Sequence, residues 1–319
     1  MTWPNGHQIL HVPVGTRSIV APNTFPNYKS VIIDPGGILE INTEAWTASA
    51  WMQIGCVDDF ILRGTLLVRG SPICTDNNYV FQASDGTTRS AAFHQPSGGS
   101  GGASVGSQFK PGGTPGSSAY GNGGGGAAAF GRGGDGQPPR AGDGGRANGL
   151  DGTRWNIGNG GSGGQVASSG DGAAGPGSNG GDASGGDGTV GGGAGGGARG
   201  LHGGFLYIRV LGNFDASGGL IDVSGADGAA GGNGGSASNG TFSHAQYPGA
   251  GGGGGAGGNG GLVIVSCRND FKKGRESKGG GNGGAGGSPG STGRPDMKGQ
   301  PGQSGQNGMQ GDIQYFREP

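Results

Sequence analysis

Glycine falls on every third residue over long stretches of this chain. It occupies positions 281, 284, 287, 290 and 293, yields once to Asp296, and returns at 299, 302, 305, 308 and 311. The same spacing holds at Gly225, Gly228, Gly231 and Gly234, at Gly251, Gly254, Gly257 and Gly260, and at Gly158, Gly161 and Gly164. A period of three suits neither an α-helix nor a strand, whose side chains repeat at 3.6 and 2. It suits a left-handed extended helix with three residues per turn and a rise of about 3.1 Å, in which every third side chain points the same way. A row that admits only glycine faces something too close for a Cβ atom.

Collagen solves this problem with one glycine row per chain. Here several runs have two: in Gly251-Gly-Gly-Gly-Gly-Ala-Gly-Gly-Asn-Gly-Gly261, only Gly253, Ala256 and Asn259 lie on the third row. That pattern predicts helices stacked in two layers, with neighbours on two sides and solvent on the third. The glycine frame also shifts at Ala147-Asn-Gly-Leu-Asp-Gly-Thr-Arg-Trp-Asn156 and Thr241-Phe-Ser-His-Ala-Gln-Tyr-Pro248, which read as turns between short helices. Such helices have no internal hydrogen bonds, so their N–H and C=O groups must pair with neighbours. Ordering glycine costs more backbone entropy than ordering any other residue, so single helices would not persist. The tail from Gly281 to Gly311 allows a collagen-like trimer or two local helices joined at Arg294-Pro-Asp-Met-Lys298. Gly-Gly-X at 280–288 favours the second.

Composition separates order from disorder. Of 319 residues 88 are Gly and 17 Pro, yet 30% are hydrophobic and these cluster. Disordered glycine-rich linkers lack such clusters. Residues 1–83 contain Ser30-Val-Ile-Ile-Asp34, Gly37-Ile-Leu-Glu-Ile41 and Phe60-Ile-Leu-Arg-Gly-Thr-Leu-Leu-Val-Arg69, β-branched runs with turn punctuation that read as strands. Residues 84–203 are glycine-rich. Residues 204–319 alternate strand-like segments, Gly204–Leu211, Leu220–Val223, Leu262–Val265 and Asp312–Phe316, with glycine-rich excursions at 225–261 and 274–311. The expected fold is all-β or irregular, a β-solenoid or sandwich framework carrying packed polyglycine-II helices, with essentially no α-helix. The packing glycines are Gly251, Gly254, Gly257, Gly260, Gly281, Gly284 and Gly287.

Chemical motifs are few. Twenty Lys and Arg against 21 Asp and Glu leave no basic patch for nucleic acid. The start, Met1-Thr-Trp-Pro-Asn-Gly-His7, lacks the pattern of a signal peptide, and no run is long enough to span a membrane, so folding in a cytoplasm without membrane insertion is expected. Cys56, Cys74 and Cys267 are spaced for neither metal nor a disulfide framework and read as buried free thiols. His7 and His11 do not lie on a helix that would make them ligands. Gly180-Gly-Asp-Ala-Ser-Gly-Gly-Asp-Gly188 lacks the apolar position of calcium-binding nonapeptides. Neither cofactor nor metal nor enzymatic activity is expected.

With Asn122-Gly-Gly-Gly-Gly126, Gly191-Gly-Gly-Ala-Gly-Gly-Gly197 and Gly251–Gly261, the chain resembles the polyglycine-II sandwich tip adhesins of T-even-like bacteriophage long tail fibres. The resemblance covers about 98–203, 225–261 and 279–311 and leaves 1–83 unmatched. It implies a virion protein that partners other fibre subunits and binds a bacterial surface receptor, an outer-membrane protein or polysaccharide, through turns that interrupt the glycine frame. Aromatic rings supply contact area and Arg grips anionic groups bidentately. Arg154, Trp155, Phe242, His244 and Tyr247 are the candidates, followed by Phe109, Tyr120 and Phe130. A bacterial surface fibre, another phage structural protein and an ice-binding protein are the alternatives.

Overall fold

The computed structural model describes residues 6–20, 26–42, 52–70, 77–82, 88–93, 96–104, 116–117, 122–128, 132–135, 141–144, 155–164, 174–180, 182–184, 188–238, 246–294 and 297–318. Among them there is no α-helix, and the strands fall mainly into three five-stranded sheets. The chain visits these sheets in a constant order. Ile9–Val12, Arg17–Val20 and Asn27–Tyr28 enter the first, second and third sheet in turn. Ser30–Ile33, Ile38–Asn42 and Met52–Cys56 form the next pass, then Phe60–Leu62, Thr65–Arg69 and Phe205–Val210. Phe214–Asp215, Leu220–Asp222 and Leu262–Cys267 follow, and Phe271–Lys272, Arg275–Ser277 and Asp312–Arg317 close the framework. Every pairing in these three sheets is parallel. Strands from the first 70 residues and strands after 204 therefore belong to the same sheets, as where Ile54 pairs with Ile208.

Parallel register stacks equivalent side chains from pass to pass. Leu10, Val31, Phe60, Phe214 and Phe271 make one inward ladder, and Met52, Leu206, Val263 and Ile313 another. The Phe60 and Phe214 rings lie 5.2 Å apart. Each such side chain removed from water contributes about 1.5–3 kcal/mol, which gives the framework the apolar core that the glycine runs lack. The first-to-second-sheet corners are tight turns in which Thr16 N–H donates to Pro13 O and Gly37 N–H to Asp34 O. Their third residues, Gly15 and Gly36, have φ of 70° and 79°, which Pro13-Val-Gly-Thr16 and Asp34-Pro-Gly-Gly37 supply without strain.

The glycine-rich segments all leave the framework between a second-sheet and a third-sheet strand, at 70–204, 223–261 and 278–311, on three successive passes. They run as extended threads that exchange backbone hydrogen bonds at intervals of three residues. Thread 248–261 lies at the centre of six others: 97–104, 122–128, 190–204, 223–236, 277–292 and 297–311. Its three rows give N–H groups to three of these, as in Gly253 to Gly124, Gly252 to Gly232 and Gly254 to Gln303, each at 2.8–3.0 Å. Its carbonyls accept from the other three, as Ala256 O from Gly200, Gly258 O from Gly281 and Gly254 O from Gly99. The ring is closed, because each outer thread also bonds to the next.

This corrects the expectation of two layers with the third row in solvent. Ala256 and Asn259 are each 1% exposed. With six neighbours no row is left over, and the double glycine rows arise because a thread inside a hexagonal packing is crowded from every side. The glycines singled out from the sequence occupy these contacts. A Cβ on Gly251, Gly254, Gly257, Gly281, Gly284 or Gly287 would lie within 3.0 Å of a backbone carbonyl oxygen of an adjacent thread, and one on Gly260 would meet Lys278 O and Gly311 N equally closely. Threads 277–292 and 297–311 pair antiparallel within the one chain, through Gly302 to Gly287, Gly305 to Gly284 and Gly308 to Gly281.

Candidate functional site

Thread 248–261 enters the framework at Leu262 and begins, at its other end, beside the short strand Gln246–Tyr247. At about 3.1 Å per residue that end lies roughly 40 Å from the framework. There Trp155–Ile157, Gly188–Val190 and Gln246–Tyr247 form a three-stranded parallel sheet, with Trp155 beside Gly188 and Tyr247 beside Val190. Two candidate segments that are about 90 residues apart in sequence thus flank one strand, Gly188–Val190, at the distal end of the bundle. Ala183–Ser184 and Ala237–Ser238 pair at the same end.

Of the candidates, Arg154, Phe242, His244, Phe109, Tyr120 and Phe130 lie outside the described residues, and Trp155 is described by its place on the strand. Tyr247 is 4% exposed, so its ring packs into the bundle and is not offered to a receptor. The cause is local: Tyr247 leads directly into Pro248–Ala250, the buried start of the central thread. Nothing in the spacing of Tyr247 distinguishes it from a surface aromatic. Its neighbour in register, Val190, is fully buried, and only the sheet pairing reveals that.

Polar side chains also gather on the framework. A hollow of about 290 Å³ on the framework is lined by Asp59, Asn213, Asp215, Asp270 and Lys272 among others. Its carboxylates are engaged: Asp59 accepts from Asn213 N–H and Nδ2–H at 2.8 and 3.0 Å, and Asp215 receives two bonds from Arg63 at 3.0 and 2.9 Å. The Arg63 bonds hold the Asp215 carboxyl well below the usual range. On the third sheet, buried Glu318 accepts from Arg209 Nε at 3.0 Å, from Tyr207 OH at 3.3 Å and from Ser266 Oγ at 2.5 Å. Burial pushes the Tyr207 hydroxyl up to about 12. This network ties the last residues to the sheet.

At the junction of bundle and framework, His202 is 5% exposed and its Nδ1 accepts from Asn259 N–H at 2.8 Å. Burial, with the Arg199 charge adding to it, pushes its pKa down to about 3. Cys56 and Cys267 are buried free thiols, as expected, and burial raises both. Cys74 lies outside the described residues. Among the described residues no group of three or more His, Cys, Asp or Glu is placed to hold a metal ion, and no helix is long and apolar enough to cross a membrane. No protein-family model matches this chain, and no curated protein and no solved structure matches it.

Proposed function

We propose that the chain is a non-enzymatic virion structural protein, a tail-fibre or tail-tip component that acts as an adhesin for the bacterial surface. In this reading the three-sheet framework is a three-sided β-solenoid and the threads are polyglycine-II helices. The bundle is a stiff arm that carries its distal turns outward. The observation that carries the reading is the distal sheet, which gathers the Trp155 segment and the Gln246–Tyr247 segment at the end of the bundle opposite the framework. An interior with hydrogen bonds on all three rows of its central thread gives such an arm rigidity, so contacts at its tip need little further ordering.

Partner subunits are assigned to the opposite end. Three of the exposed large apolar side chains lie on the first pass: Ile9 at 56%, Val14 at 68% and Ile19 at 63%. The strands of that pass are sheet edges. The last pass is also an edge, but it carries Lys272, Arg275, Glu276 and Arg317, and charge discourages strand addition.

The test is binding of the purified protein to whole bacterial cells and to isolated envelope polysaccharide. Replacing Arg154, Trp155 and Phe242 together by Ala is expected to abolish binding with the fold intact. Undiminished binding, or absence of the protein from every particle and filament of its source, would sink the reading.

A further inference from the structure

The bundle has an edge where its packing could continue. Thread 277–292 gives one row of N–H groups to the central thread, through Gly281, Gly284, Gly287 and Gly290. Its outermost row, Asn282, Ala285, Ser288 and Ser291, is held by thread 223–236 at three positions, where the side chains of Asp227, Asn233 and Ser236 accept from the N–H groups of Asn282, Ser288 and Ser291. In each case the following residue, Gly228, Gly234 or Ala237, donates to the carbonyl of the same partner, which makes a two-point clamp. Among the described residues the third row, Gly280, Gly283, Gly286 and Pro289, gives no N–H to a backbone carbonyl. Thread 297–311 likewise has one such row, Pro301, Ser304, Asn307 and Gln310, all exposed.

These two rows border the groove between the last two threads, which is where a hexagonal packing takes its next member. The occupant that fits is a glycine thread of the same period, and a second copy of this chain carries several. Edges with open backbone groups invite such addition. Three features oppose it. Pro289 and Pro301 have no N–H to donate. Asn307 Oδ1 accepts from Gly283 N–H at 2.8 Å and so caps a donor in the middle of the row. Asn307 also puts a side chain in the middle of the row where the interior threads carry glycine, and a Cβ at interior positions such as Gly252 or Gly255 would collide with the adjacent backbone.

We infer that this groove is a closed lattice edge, in which Pro289, Pro301 and Asn307 stop a second copy from adding its own glycine thread. The packing ends at the chain's own threads and does not grow sideways into an aggregate. The carbonyls and the remaining N–H groups of the two rows are left to water.

Sedimentation velocity over a hundredfold concentration range tests this. The triple variant Pro289→Gly, Pro301→Gly, Asn307→Gly is expected to associate at concentrations where the wild-type protein shows no change in sedimentation coefficient. The single variants Pro289→Gly and Asn307→Gly should fall between. Adding Ser304→Lys to the triple variant should abolish the association, because it places a charged chain in the same groove. Should the triple variant fail to fold, Asn307→Gly with and without Ser304→Lys supplies the same comparison. Superimposable sedimentation of variants and wild type, or association that survives Ser304→Lys, overturns the inference.

Discussion

At the scale of the residue, two glycines, each followed by another glycine, have opposite surroundings. A Cβ on Gly254 would lie within 3.0 Å of Gly284 O, whereas a Cβ on Gly279 would meet nothing within 4 Å. Overpacking that only backbone movement can relieve costs about 1–3 kcal/mol or more. Gly254→Ala is therefore expected to lower the unfolding free energy from denaturant titration by at least about 1–3 kcal/mol, and Gly279→Ala to leave it within about 0.5 kcal/mol of wild type. His202 supplies a pH-dependent counterpart. Its folded pKa, about 3, lies below that of a free imidazole, so the unfolded chain binds the extra proton first. Its contribution is complete above about pH 6.5 and declines as pH falls toward 3, by at most about 1.4 kcal/mol per pH unit. Unfolding measured from pH 7 to 4.5 should show that slope, and His202→Asn should flatten it.

At the scale of the element, the polar residues between the glycines act as clamps on neighbouring threads. Asn179-Gly180 holds Asn233, Asp182-Ala183 holds Ser236, Asn233-Gly234 holds Ser288 and Asn259-Gly260 holds Met309, each by a side-chain oxygen on one N–H and a backbone N–H on the same residue's carbonyl. A repeat of glycines is degenerate to slips of three residues, and these pairs select one register. Asn233→Ala should cost about 0.5–1.5 kcal/mol and speed hydrogen exchange at the Ser288 amide, which NMR can follow. Unchanged exchange there would show that the register is held by the glycines alone. The sequence placed one of these clamps, Asn259, on a row facing solvent. Their partners, 50–55 positions away, could be named only once the threads were seen side by side.

At the scale of the whole molecule, each of the last three passes of the framework sends out a glycine-rich excursion from the same corner, and the excursions pack into one bundle. If the first pass is the surface for fibre partners, Ile9→Ser with Ile19→Ser should abolish co-sedimentation with isolated particles without lowering the melting temperature, since both side chains are already exposed. The sequence by itself determined the period of three, the apolar strands such as those within 30–34, 37–41, 60–69 and 262–265, the lack of helix among the described residues and the glycines of closest approach, because these depend on rows and alternation along a single stretch of chain. It did not determine how many threads surround the central one, that the strands before residue 70 and after 204 share sheets, or that Tyr247 is buried while its segment shares a sheet with that of Trp155. Those depend on which distant segments become neighbours. A repeat as degenerate as Gly-Gly-X carries little information on that choice, and hydrogen bonds between threads make it.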